Sequence, residues 1–129
     1  MRGGIRVAGP ESPAQVWERY AVPERWPGWA PQITRVRASA PRIAPGVSGR
    51  VWAPLGLRVD FVVTEVDEQL RTWTWSVRFG PLRLRRLHGV EADPAGSATW
   101  LRVHGPALVV AAYLPVARLA LHRLVHAPS

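Results

Sequence analysis

The sequence predicts an α+β domain: a curved, seven-stranded antiparallel sheet with two short helices near the N terminus and a long C-terminal helix. Three observations predict it. Short alternating segments fill residues 33–104 and are separated by brief stretches of turn residues. Apolar residues recur at helical spacing after Pro106. The chain has 129 residues, 47% apolar and 20% charged, which suits one domain over residues 1–129. At that size roughly two-thirds of the unfolded surface can be buried, enough for one core.

Residues 5–8 alternate and read as a short strand. Ser12 is placed to cap a helix with Pro13 in its first position, and residues 14–20 carry Val16, Trp17 and Tyr20 on one face. Pro23 and Pro27 confine the next helix to about one turn, which holds Trp26 and Trp29. Six further strands are expected over residues 33–39, 49–54, 57–66, 71–79, 82–92 and 98–104. Their links, such as Leu55-Gly56 and Gly80-Pro81, are short and favour antiparallel hairpins. In the last helix Leu108, Ala112, Leu119 and Leu124 mark the expected buried face, and Pro115 is expected to kink the helix or divide it. Arg118, His122, Arg123 and His126 lie late in it, where positive charge suits the helix dipole.

Composition removes several chemistries. There is no cysteine, so no disulfide framework and no thiol nucleophile. No phosphate-binding glycine loop or serine-nucleophile elbow occurs, and no cofactor is expected. His122 and His126 stand four residues apart, but no third ligand accompanies them, so no metal is expected. All 17 basic residues are arginine, against nine acidic ones, for a net charge of +8. The arginines reflect either a GC-rich coding bias, which suits the abundant Ala, Pro, Gly and Val, or a surface for phosphates. The N terminus lacks a secretory apolar stretch, and the longest apolar run, residues 107–117, falls short of the about 20 residues that cross a bilayer. The expectation is a cytoplasmic protein with no transmembrane segment.

A two-residue turn at Gly80-Pro81 fixes a register. Phe79 then faces Leu82, Val77 faces Leu84, Trp75 faces Arg86 and Trp73 faces His88, all on one side of the sheet. Thr72, Thr74, Ser76, Arg78, Arg83 and Arg85 fall on the other side, as a solvent face. Arg86 and His88 are polar intruders on an apolar surface. A buried arginine needs a partner. Arg86 meets a carboxylate (Asp60 and Glu65 are the candidates), stacks on Trp75, faces a wet cavity, or snorkels to the rim. His88 is either a satisfied core histidine or a general acid–base group. The seven tryptophans either fill the core or line a pocket for a flat ligand. The expected ligand-binding residues are Trp26, Trp29, Trp73, Trp75, Val77, Phe79, Leu84, Leu101, Val103, Leu108 and Ala112.

Ser12-Pro13, Val16-Trp17, Trp29, Pro31, Ile33 and Val36 occur in the stretch ESPAQVWERYAVPERWPGWAPQITRVR. This stretch resembles the opening of the START-like (SRPBCC) superfamily, which includes the birch-pollen-allergen fold, polyketide cyclases and dehydratases, and lipid or quinone carriers. PGVSGRV, VVTEVDEQLRTWTW, LHGVEADPAGSAT and GPALVV match its later strands and the start of its last helix. The resemblance implies a helix-grip fold with ligands between sheet and helix, and a histidine often stands where His88 does.

Three functions are open at this point. The first is binding of an apolar small molecule of polyketide, lipid or isoprenoid-like kind. The second is a cyclase or dehydratase in which His88 moves a proton and Arg86 stabilises an oxyanion. The third, minor, is binding of nucleic acid or an anionic membrane by Arg58, Arg78, Arg83 and Arg85; a nucleic-acid partner is not expected. The apolar end helix and Trp100 offer a face for a homodimer.

Overall fold

The computed structural model describes residues 2–126, with the backbone alone at Arg2 and Ala112. The elements are β1 (Arg2–Gly9), α1 (Pro13–Ala21), a 3-10 turn (Pro23–Arg25) leading into α2 (Trp26–Trp29), β2 (Arg35–Ala38), β3 (Ser48–Trp52), β4 (Arg58–Asp67), β5 (Thr72–Phe79), β6 (Leu82–Asp93), β7 (Gly96–His104) and α3 (Ala107–His126). The strands form one antiparallel sheet in the order β1-β7-β6-β5-β4-β3-β2. α1, α2 and α3 cover one side of it. This is the expected α+β helix-grip arrangement.

The Gly80-Pro81 hairpin has the expected register. Phe79, Val77, Trp75 and Trp73 pair with Leu82, Leu84, Arg86 and His88. Between β4 and β5 the register slips at Thr64, a β-bulge that bends the strand. The slip moves the inner set from Phe61 and Val63 to Val66, which faces Trp73. Thr74, expected on the solvent face, is buried between its pairing neighbours Glu65 and Leu87. On the outer side Trp100 lies flat over Gly89, where a Cβ would stand inside the indole.

α1 begins as expected. The Ser12 hydroxyl accepts from the Gln15 N–H at 3.2 Å, and Pro13 opens the helix. Its C-terminal carbonyls all find donors. Glu18 O accepts from Val22 N, Arg19 O from the Trp29 indole, Tyr20 O from the Trp26 indole and Ala21 O from Ile43 N. The two tryptophans of α2 therefore cap α1 while burying their rings.

α3 is one helix from end to end, and Pro115 does not divide it. Proline frees the carbonyl of Ala111, but both residues are exposed, so water can reach that carbonyl. Its buried stripe is Val110, Ala117, Ala120, Leu121, Leu124 and Val125. Leu108 and Leu119, expected on that stripe, point to solvent. Both fall on the helix face that Arg118, His122, Arg123 and His126 mark as the solvent side, a signal that spacing of the leucines alone overlooks. By length and composition α3 is apolar enough to cross a bilayer, unlike the shorter run read from sequence. In this structure its stripe packs on β1 and β7. A Cβ on Gly3 would meet Val110 and Leu114, and one on Gly9 would stand 2.6 Å from the Val125 carbonyl. Two glycines of β1 thus let α3 lie close along the strand.

Candidate functional site

The space between sheet and α3 is filled by aromatic rings. Trp26 stands at the centre, 5.7 Å from Trp73, 5.0 Å from Trp75 and 5.4 Å from Phe61 between ring centroids. His88 stacks on Trp73 at 4.8 Å, and Tyr20 lies 5.0 Å from His88. What remains is a cavity of about 20 Å³ lined by Trp26, Trp29, Trp73, Trp75, Arg86, His88 and Leu101. Gln32, Ile33, Tyr113, Ala117, Ala120 and Leu121 complete its wall. A volume of that size holds about one water. An open apolar groove of about 500 Å³ lies outside it, lined by Gln32, Leu108, Val109, Tyr113 and Val116. Gln32 and Tyr113 belong to both walls.

β6 delivers Arg86 and His88 to the same side because they are two residues apart on one strand. The Trp75 indole N–H donates to His88 Nε2 at 3.1 Å. An indole nitrogen only donates, so Nε2 carries the lone pair and the ring proton sits on Nδ1. Nδ1 faces the Tyr20 hydroxyl at 3.3 Å. Tyr20 in turn bonds Thr99 Oγ1, and the Thr99 hydroxyl donates to the Gly89 carbonyl at 3.0 Å. A single direction of donation runs from Trp75 to Gly89. Burial, with the Arg86 charge added, holds the imidazole well below its ordinary pKa, so it is neutral. Burial also raises the Tyr20 phenol above its ordinary value.

Arg86 meets no carboxylate among the described residues. Asp60 bonds Arg50 at 2.9 Å instead, and Glu65 faces outward opposite Thr74. The guanidinium lies between two rings, 5.2 Å from the Trp75 centroid and 4.1 Å from Tyr113. Burial lowers its pKa, yet a guanidinium starts high enough to stay charged. Its Nε, the Trp73 Nε1 and the Gln32 Oε1 are buried without hydrogen-bond partners. All three residues line the one cavity.

Seven of the thirteen expected site residues line this cavity: Trp26, Trp29, Trp73, Trp75, Arg86, His88 and Leu101. Val77, Leu84 and Val103 are buried in the core beside it but form no part of its wall. Phe79 is 47% exposed because it ends its strand at the hairpin tip, beyond the reach of the helices. Leu108 is 86% exposed on the outer side of α3. The Ala112 side chain lies outside the described residues. Sequence reading missed Gln32, for which a polar residue in a loop gives no signal. It also missed Tyr113, Ala117 and Leu121, whose spacing of four residues was a usable signal.

Residues 7–127 match the family described as polyketide cyclase / dehydrase and lipid transport. The chain belongs to that family. Solved structures share the fold of this family member at low identity. The crystal structure of Ara h 8.0201 has a TM-score of 0.73 and 18% identity, over 96% of this chain and 97% of that one. An uncharacterised protein from Bacillus thuringiensis gives 0.75 and 15%, over 96% and 98%. The di-domain ARO/CYC BexL from the BE-7585A biosynthetic pathway gives 0.80 and 16%, over 97% of this chain and 45% of BexL. No curated protein matches the sequence.

Proposed function

We propose that this domain binds an apolar small molecule carrying a hydroxyl or carbonyl oxygen, between the sheet and α3. One observation carries the reading: the unpartnered Gln32 Oε1, Trp73 Nε1 and Arg86 Nε on a single cavity. Two donors and one acceptor suit a hydroxyl, which accepts from the nitrogens and donates to the amide oxygen. An unmet buried polar atom costs about 1–3 kcal/mol, so an oxygen that meets these atoms recovers part of that cost. The tryptophan walls suit a flat or polycyclic body, within the polyketide, lipid or isoprenoid-like range. Any such body exceeds the present cavity. Entry therefore requires Gln32 and Tyr113, the two residues shared with the outer groove, to move aside.

Titration of tryptophan fluorescence with 2-naphthol and with naphthalene tests this. The hydroxyl compound should bind at least about ten-fold tighter, the worth of one hydrogen bond to a charged group. Gln32→Leu should shrink that ratio. Equal affinities, or a ratio indifferent to Gln32, would mean that these polar atoms do not read an oxygen. No response to either compound would make the interior a closed core.

A cyclase-type reading is favoured by the same guanidinium. Arg86, held between Trp75 and Tyr113, presents a fixed positive charge in an apolar wall where an enolate oxygen would develop. His88 suits it less as a proton carrier, since both ring nitrogens are already engaged. In this reading His88 is a positioning residue that holds Trp75.

A further inference from the structure

We infer that the cavity-mouth end of the sheet is a docking surface for an anionic lipid bilayer. The antiparallel order places the β3–β4 loop, the β5–β6 hairpin and the start of α3 at this one end. Each of the three presents large apolar side chains to solvent: Leu55 with Leu57, Phe79 with Leu82, and Leu108. Leu55 is 100% exposed and holds a φ of 68°, a left-handed conformation that leucine rarely adopts. A glycine there would carry less strain and expose no apolar surface.

Arginines stand directly behind these tips. Arg58 follows Leu57, while Arg78 and Arg83 flank the hairpin as the outer members of Arg78-Phe79-Gly80-Pro81-Leu82-Arg83. Arg78 and Arg83 are also direct cross-strand partners, two like charges side by side. An anion at this edge relieves that repulsion. Carboxylates are concentrated at the other end of the sheet, as Glu65, Asp67, Glu68, Glu91 and Asp93. The carboxylate nearest the arginines, Asp60, pairs across the strands with Arg78 but accepts its hydrogen bond from Arg50, and one carboxylate cannot balance Arg50, Arg78 and Arg83 together.

Apolar tips with cations one residue back match a bilayer, whose acyl boundary lies just beneath its phosphates. A second copy of this chain fits worse, because two such ends would set arginine against arginine. Arg58, Arg78 and Arg83 belong to the outward arginine face considered from sequence; the structure adds the exposed apolar tips beside them and places both at one end of the sheet. This surface does not depend on what the interior binds.

Co-sedimentation of the full chain with phosphatidylcholine vesicles, with and without phosphatidylglycerol, tests the inference. Binding should require phosphatidylglycerol and weaken with salt. Arg78→Ser and Arg83→Ser should each reduce it about five-fold. Phe79→Ser with Leu82→Ser should reduce it at least about ten-fold. Leu70→Ser, 69% exposed at the other end, should change nothing. No vesicle binding, or equal loss in Leu70→Ser, would overturn the inference. So would a dimer that the Phe79 and Leu82 changes dissociate while vesicle binding stays unchanged.

Discussion

His88, open from sequence to a core or an acid–base role, lies in the interior with Trp75 and Tyr20 as its hydrogen-bond partners. Its neighbours fix both nitrogens, and its neutrality has a measurable consequence. The folded chain holds the imidazole uncharged, whereas the unfolded chain protonates it below about pH 6.5. The folded state then binds fewer protons, so stability is full above that pH and falls as pH drops through it. For this one proton the slope reaches at most about 1.4 kcal/mol per pH unit. Between about pH 7 and pH 5, urea unfolding should show the wild type losing more stability than His88→Gln, whose amide can still accept from Trp75. A slope that survives in His88→Gln would place the titrating group elsewhere. Arg86 was legible as an intruder, because alternation in β6 leaves no apolar role for it. Its partner Tyr113 was not, because which turn of α3 faces β6 depends on the packing of the two glycines in β1.

At the scale of elements, hairpin register was readable because a two-residue turn and a period of two leave no freedom. The stripe of α3 was readable only in its second half, where Arg118, His122, Arg123 and His126 mark the solvent side; its first half carries no charged residue to orient it. Its seat is set by close contacts instead. Arg19, itself buried, donates to the Leu124 carbonyl at 2.6 Å, and the Glu11 N–H donates to Val125 O. Gly9 lies against the same residue. Gly9→Ala should cost about 1–3 kcal/mol, since the new methyl meets a backbone oxygen that cannot turn aside. Gly28→Ala, with nothing near its Cβ, should stay within about 0.5 kcal/mol or stabilise slightly. Thermal or chemical unfolding of the two variants checks the difference, and equal losses would remove close packing as the cause.

For the whole molecule, the fold class and family were legible because architecture is written in turn residues and in the Ser-Pro and Val-Trp helix start. Pocket size was not, since it depends on how seven rings interlock. Trp26 joins them, and it also caps Tyr20 O. Trp26→Ala should lose about 3–5 kcal/mol. Added indole, with the same ring and the same N–H, should restore part of it as a concentration-dependent rise in Tm. A variant that indole leaves unchanged would mean that the interior collapses rather than keeping its shape.

The two ends of α3 are held very differently. The end near Leu124 and Val125 is tied by hydrogen bonds to Arg19 and Glu11, while the start, where Leu108 is nearly bare, is held by side-chain packing of Val110 and Leu114 on Gly3. Such a beam is pinned at one support and only rests on the other. Leu108 and Leu124 are about 24 Å apart along the axis at 1.5 Å per residue, so a tilt of about 10° lifts the bare end by roughly 4 Å. That is about the thickness of one aromatic ring, so a swing of this size would admit a planar guest at the cost of the Val110 and Leu114 packing on Gly3, with the hydrogen bonds at the far end still made.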